Sequence, residues 1–163
     1  MSFLVPVLFA LTLPHDIGQL IGARYPDWKP SRVATQITTW FSEYRFSFEP
    51  ALVRADFNDD GHQDWAALIL SRGQQILVVA MGSGSGGWNV LELSSTTPDP
   101  FTYLLLYARG DKDFDFKTLK KFRHSANSLG LMHFRGTPLQ FTWKKGGGFE
   151  QKLSLSDEEL ENQ

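Results

Sequence analysis

The sequence predicts an α+β domain, in which one or two N-terminal helices pack against a mostly antiparallel β-sheet. Three observations support this fold class. The chain has 163 residues, which is enough for one domain with its own core. Its composition, with 42% hydrophobic and 21% charged residues, is that of a globular protein. Apolar residues recur at helical spacing before residue 45, whereas beyond Phe46 they alternate or form short runs between turn-forming residues.

The first residues form an uncharged apolar segment that precedes the predicted domain. Residues 3–13, FLVPVLFALTL, have the length of a signal-peptide core and are too short to cross a bilayer. We interpret residues 1–14 as an atypical or trimmed signal peptide, with a buried N-terminal strand or helix as the alternative. This interpretation predicts a periplasmic or extracellular protein, and a cytoplasmic one is the alternative.

Two helices are predicted next. HDIGQLIGAR has the spacing of a short amphipathic helix and is followed by a proline-bounded loop. The segment SRVATQITTWFSEY places Ile37 and Phe41 one helical turn apart, with Ser31 as the predicted N-cap. The β-branched residues of this segment make a strand the competing interpretation.

Eight strands are predicted beyond the helices, separated by turn sequences such as NDDG, SRGQ, GSGSGG and KKGGG. Their ranges are 51–56, 65–71, 75–81, 88–93, 102–108, 129–134, 138–144 and 149–154. Residues 115–128, DFKTLKKFRHSANS, are predicted to be a helical or irregular insertion. We therefore predict one α+β domain at residues 15–156 and an acidic, solvated tail at residues 157–163.

The charge and cysteine content exclude several kinds of site. Lys and Arg number 16 and Asp and Glu 18, and the resulting net charge of −2 does not indicate a nucleic-acid partner. The absence of cysteine excludes disulfides, thiolate zinc sites and cysteine nucleophiles. No other segment approaches transmembrane length, so we predict no membrane span.

The sequence DFNDDGHQD, residues 56–64, predicts a bound metal ion. Oxygen-bearing side chains stand at positions 1, 3, 5 and 9 of this stretch, and a glycine at position 6 permits a sharp turn. Calcium requires six or more oxygen ligands in a flexible shell. We therefore predict one Ca²⁺ ion, bound by the side chains of Asp56, Asn58, Asp60 and Asp64 and by the carbonyl of His62. The alternative is an Asx-rich turn that binds no metal.

The scaffold of this loop differs from an EF-hand. Position 12 would be a bidentate glutamate there, but Ala67 occupies it inside a predicted strand. The stretch resembles the calcium loop of FG-GAP or VCBS-type repeats, as found in integrin alpha-chain propellers, whose typical form is D-x-N-x-D-G-x-x-D. Asp59 stands where many members have glycine. A single copy excludes a propeller, and the resemblance implies a small exported module with one calcium-bearing β-hairpin.

The other motifs are weak. GSGSGG is followed by a strand-like sequence and is predicted to be a hairpin loop, and Arg109-Gly110-Asp111 to be a turn between strands. The basic stretch 117–124 is predicted to be a solvated face.

Three functions remain open at this point. The favoured one is a calcium-binding exported module that binds a protein or cell-surface component, with the ion in a structural role. The alternatives are a hydrolase with a carboxylate pair drawn from Glu43, Glu49, Glu92 and Asp99, and a cytosolic immunity or regulatory protein.

Overall fold

A computed structural model describes residues 12–115, 118–133 and 137–153. Most of the predicted signal segment and the whole predicted tail 157–163 lie outside these ranges. The helices are α1 (His15–Arg24) and α2 (Thr35–Glu43). The strands are β1 (Lys29–Pro30), β2 (Leu52–Ala55), β3 (Asp64–Ser71), β4 (Gln74–Gly82), β5 (Trp88–Thr96), β6 (Thr102–Tyr107), β7 (Lys112–Asp115), β8 (Lys120–Arg123), β9 (Ser128–His133), β10 (Leu139–Trp143) and β11 (Phe149–Leu153). The predicted α+β class with antiparallel sheets is confirmed.

Strands β3 and β4 form the centre of a five-stranded antiparallel sheet. The order is β1-β3-β4-β5, and β2 pairs with β3 on the same edge as β1. Nearly every residue of DWAALILS and QILVVAM is buried, because both faces of these strands are covered. Continuous apolar runs are what such strands require.

A second antiparallel sheet, in the order β11-β10-β9-β6, covers one face of the first. Alternate side chains of the two sheets meet in the main core, where Ala66, Leu68 and Val79 pack with Leu129 and Leu131. This arrangement is a sandwich of two sheets, and the interior positions follow the period-two pattern.

Helix α1 covers the opposite face of the first sheet. Its buried residues Ile17 and Ile21 pack on Ala67, Ile69 and Val78 in a second core cluster. In the described residues no helix is both long and apolar enough to span a membrane.

The prediction that Ser31 caps the second helix is wrong. Helix α2 begins at Thr35 with Ala34 at the N-cap position. Ser31 is buried instead, and its hydroxyl accepts a hydrogen bond of 2.8 Å from the side-chain amide of Gln75. A tertiary contact across 44 residues therefore replaces the local cap.

The prediction of a helical or irregular insertion at 115–128 is also wrong in part. Strands β7 and β8 pair antiparallel in a separate two-stranded sheet. All four residues of β8 are exposed, so this strand has no buried face and no apolar periodicity by which it could be recognised.

Candidate metal centre

The segment 56–64 connects β2 to β3 within one antiparallel pair. Ala55 pairs with Asp64 at the end of the ladder, so the intervening residues form the hairpin connection. Phe57 is buried in the main core and lies edge-on to Phe149, with 6.2 Å between ring centroids. The first part of the loop is therefore anchored by packing as well as by strand pairing.

Asp64 closes the loop at its buried end. It is 0% exposed, and its Oδ2 accepts a hydrogen bond of 2.8 Å from the backbone N–H of Phe57. Its Oδ1 accepts another, also of 2.8 Å, from the backbone N–H of Gly82 at the end of β4. One carboxylate thus joins the start of the loop, its end and the neighbouring strand.

Three other oxygen-bearing side chains gather at the tip of the loop. Asp56 accepts hydrogen bonds from the backbone N–H groups of Asp60 and Gly61, at 3.2 and 2.9 Å. Asp60 accepts from the backbone N–H of His62 at 2.8 Å and from the Asn58 amide at 2.9 Å. The side-chain carbonyl of Asn58 in turn accepts from the backbone N–H of Asp60, at 3.3 Å. These side chains surround one short arc of backbone.

The backbone of the tip turns sharply at two residues. Gly61 has φ of 85°, in the left-handed region that glycine adopts without steric cost. Asp59 has φ of 62°, a conformation that aspartate tolerates better than most residues. The sequence predicted a turn at the glycine but not at Asp59.

The carboxylates of the loop experience opposite electrostatic effects. Burial raises the pKa of Asp64, and the negative charges of Asp60 and Asp56 raise it further, although the N–H groups of Phe57 and Gly82 act against this. The backbone N–H of His62 and the amide of Asn58 lower the pKa of Asp60. Because the charges of Asp60 and Asp56 disfavour the ionised form of Asp64, a cation near Asp64 would relieve this repulsion.

The donor set suits a hard cation. The side chains of Asp56, Asn58, Asp60 and Asp64 all offer oxygen, and each carboxylate oxygen that accepts one N–H retains a further lone pair. Together with the carbonyl of His62, these groups match the oxygen ligation that calcium prefers. Such an ion would neutralise part of the negative charge of the loop and would hold the loop in one conformation.

The side chains are oriented toward backbone N–H groups, as in an Asx-type turn. Among the residues in the described ranges, no three His, Asp or Glu side chains are already arranged to hold a metal ion. Ligation would therefore require Asp56 and Asp60 to share or exchange these hydrogen bonds.

Some contacts of the loop were not predicted from the sequence. Arg109 donates to Asp59 at 2.8 Å, and the Asn127 amide donates to the carbonyl of Asp56 at 2.7 Å. These partners are 50 and 71 residues distant in sequence, so no local pattern could have identified them.

The four carboxylates considered for a hydrolase lie on separate elements. Glu43 ends α2, Glu49 precedes β2, Glu92 lies in β5 and Asp99 follows β5. Glu92 accepts a hydrogen bond from Tyr25, whose pKa is raised to about 12 by burial and then by this carboxylate. The structure thus gives Glu92 a partner directly after α1 that is not a second acid.

A depression at the start of α1 contains none of these four carboxylates. Its lining residues are Leu13, Pro14, His15, Gly18, Gln19 and Trp28. It therefore adds no support to the hydrolase hypothesis.

Two weak motifs have structural explanations. The GSGSGG stretch forms the turn between β4 and β5, as predicted. In the Arg109-Gly110-Asp111 turn, Arg109 is bonded to Asp59, and Asp111 accepts from the backbone N–H of Ala108 at 3.0 Å. Both charged side chains of the tripeptide are thus engaged within the molecule.

Comparison of the chain with protein-family models, curated proteins and solved structures finds no match. The resemblance of the loop to FG-GAP or VCBS-type repeats therefore depends on the residues of the loop alone.

Proposed function

We propose that this protein is an exported calcium-binding module, in which one structural Ca²⁺ ion stabilises the 56–64 loop and the domain binds a protein or cell-surface component. The observation that carries the proposal is the gathering of Asp56, Asn58 and Asp60 around one turn that is closed by the buried carboxylate of Asp64. An ordinary turn needs one or two such residues, whereas this loop has four.

A structural ion is consistent with where the loop lies. It connects two strands of the central sheet and shares Phe57 with the main core. An ion that fixes the loop would therefore also fix the end of the β2–β3 pair, and binding only to the folded state would stabilise that state. Calcium is plentiful outside cells, so even a weak site would be filled there.

A binding role is supported by the surface of the β7–β8 hairpin. Leu119 and Phe122 are 73% and 42% exposed, and Lys120 and Lys121 accompany them on the same hairpin. Contiguous apolar patches rimmed by polar residues mark interaction sites, and we propose that these two apolar side chains form part of such a patch. Export is supported by the apolar segment at residues 3–13, and sequencing the N-terminus of the mature protein tests it.

Thermal unfolding with excess EGTA and then with excess CaCl₂ tests the calcium site. Calcium at 100 times its Kd would stabilise the fold by about 2.7 kcal/mol, which raises the Tm of a domain of this size by about 5 to 10 °C. We expect this rise in the wild type and not in Asp60→Ala. Magnesium should give a smaller rise, because it demands a tighter octahedral shell.

Glu43→Ala is the matched control, because it removes one exposed carboxylate outside the loop. It should retain the full response to calcium. If calcium leaves the Tm of the wild type and of Asp60→Ala unchanged, the loop is an Asx-rich turn and the calcium proposal fails.

A further inference from the structure

The base of the β7–β8 hairpin is bonded directly to the 56–64 loop. The guanidinium of Arg109 donates to the Asp59 carboxylate at 2.8 Å, and the Asn127 amide donates to the Asp56 carbonyl at 2.7 Å. Arg109 precedes β7 and Asn127 follows β8. The loop therefore contacts both chain segments that enter and leave the hairpin.

Arg109 is also hydrogen-bonded to the segment that contains Asn127. The backbone N–H of Arg109 donates to the Asn127 side-chain carbonyl at 2.9 Å, and Nε of Arg109 donates to the carbonyl of Ser125 at 2.9 Å. We call Arg109, Asn127 and their partners Asp56 and Asp59 the brace. A single planar guanidinium thus connects the loop to the far side of the hairpin base, a geometry that lysine cannot reproduce.

Further hydrogen bonds and a buried histidine hold the base of the hairpin together. Gly110 donates its backbone N–H to the carbonyl of His124 at 2.8 Å, and His124 donates to the carbonyl of Asp111 at 3.0 Å. The imidazole of His124 is buried, stacks on Tyr107 and bonds Asp113 at 2.8 Å. A change at the base would therefore be transmitted to β7 and β8.

Asp59 has no place in the predicted ligand set, yet it adopts a left-handed φ of 62°. Its carboxylate bonds Arg109, and this guanidinium lowers its pKa. Asp59 thus serves the contact with the hairpin, while its neighbours Asn58 and Asp60 face the tip of the loop.

We propose that ligation of the 56–64 loop and order of the β7–β8 hairpin are linked through the brace, an inference that rests on the proposed function. Ligation would exchange side-chain contacts of Asp56 and Asp60 for the ion and would hold the backbone of the turn in one conformation. The turn, as the structure shows it, presents the Asp56 carbonyl and the Asp59 carboxylate to the hairpin base. Calcium binding to the loop therefore favours the ordered hairpin, and the ordered hairpin favours calcium binding to the same extent.

Regulation of the exposed hairpin surface follows from this linkage. Leu119 and Phe122 are carried by a two-stranded sheet, and such a ribbon has little stability of its own. A calcium-ligated loop would hold this surface in place, and a calcium-free loop would release it.

Amide hydrogen exchange with EGTA and with CaCl₂, together with calorimetric titration of calcium, tests the linkage. In the wild type, calcium should slow exchange of the amides at 108–111 and 124–127. Arg109→Gln should still bind calcium but lose this protection, and its Kd should rise by on the order of five-fold. Arg32→Gln, which removes an exposed positive charge elsewhere, should behave as the wild type.

The sign of the affinity change separates the brace from simple electrostatics. Removal of a positive charge close to a cation site strengthens cation binding by Coulomb's law, whereas loss of the brace weakens it. Arg109→Lys retains the charge without the fork, and it should also weaken calcium binding.

Two results would overturn the linkage, and they are distinguishable. A wild type that binds calcium with no change in exchange at the hairpin base, and an Arg109→Gln variant with unchanged or tighter binding, would overturn it alone. A wild type that binds no calcium would overturn the proposed function and the linkage together.

Discussion

The two ends of the 56–64 loop carry the same functional group in opposite surroundings. Asp64 is 0% exposed and both of its carboxylate oxygens accept backbone N–H groups. Asp60 is exposed, and among the described residues its carboxylate bonds only groups of the loop itself. Burial raises the pKa of the first, while hydrogen bonds lower the pKa of the second.

This difference shows that a predicted ligand can have a second role that needs no ion. Asp64 accepts hydrogen bonds from the buried backbone N–H of Phe57 and from the backbone N–H of the partly buried Gly82. The Asp60 carboxylate, in contrast, bonds the Asn58 amide and the backbone N–H of His62, which both belong to the loop. We therefore expect Asp64 to be essential with or without calcium, and the Asp60 side chain to matter mainly when calcium is bound.

Replacing each aspartate in calcium-free buffer is the strongest test of this comparison. Asp64→Ala leaves the N–H groups of Phe57 and Gly82 without their acceptor, and each loss costs about 1 to 3 kcal/mol. We expect the free energy of unfolding, measured by urea denaturation with EGTA, to fall by about 2 to 4 kcal/mol. Asp60→Ala should stay close to the wild type under the same conditions.

Asp64→Asn serves if the alanine variant does not fold, because the amide retains one acceptor and the size of the side chain. It should lose about half as much stability, or about 1 to 2 kcal/mol. Equal and small losses in Asp64→Ala and Asp60→Ala would contradict the assignment of different roles to the two ends.

A pair of glycine variants tests the same comparison, with a smaller expected loss of stability than Asp64→Ala. A Cβ atom on Gly82 would lie 2.6 Å from the backbone carbonyl oxygen of Gln63. Since backbone cannot easily yield, Gly82→Ala should cost about 1 to 3 kcal/mol. A Cβ on Gly84 would meet only the ring of the exposed His62 side chain, at 3.1 Å, and this ring can rotate.

Thermal unfolding of both variants in EGTA measures the stability cost of the added Cβ atom at each position. Gly82→Ala should lower the Tm clearly, and Gly84→Ala should leave it nearly unchanged. A harmless Gly82→Ala would mean that the buried end of the loop is less tightly packed against β4 than the structure indicates.

Much of this fold was predictable because its central strands are buried on both faces. The apolar runs of β3 and β4 have no other stable location, and the turn residues between them fix where each strand ends. The β7–β8 hairpin was missed because β8, with the sequence KKFR, is exposed at every position. A strand with no buried face leaves no periodic signal.

The candidate site was predictable only in part. Glycine and oxygen-bearing residues at fixed spacing predict Asp56, Asn58, Asp60 and Asp64 as ligands. The structure places the first three around one turn and Asp64 at the buried end of the loop. The groups that hydrogen-bond to these residues from outside the loop are brought there by the tertiary fold, so local sequence could not predict them. Gly82 reaches Asp64 through the register of β3 with β4, in which Trp65 pairs with Ala80.

The smallest expected effect is a difference in titration between the two ends of the loop. In calcium-free buffer, the side-chain carboxyl carbon of Asp64 should titrate above the ordinary value of 3.8, and that of Asp60 below it. The folded chain holds the Asp64 proton more tightly than the unfolded chain does. Asp64 therefore contributes stability that is fully present below pH 3.8 and is lost as the pH rises through its folded-state pKa.

Asp60 has the opposite dependence. Its contribution is present above pH 3.8 and is lost as the pH falls through its lowered pKa. Carbon-detected NMR of the two carboxyl groups with EGTA present measures both midpoints in one sample. Coincident midpoints would mean that burial of Asp64 is offset by its two N–H donors, and that the ends of the loop differ in packing but not in electrostatics.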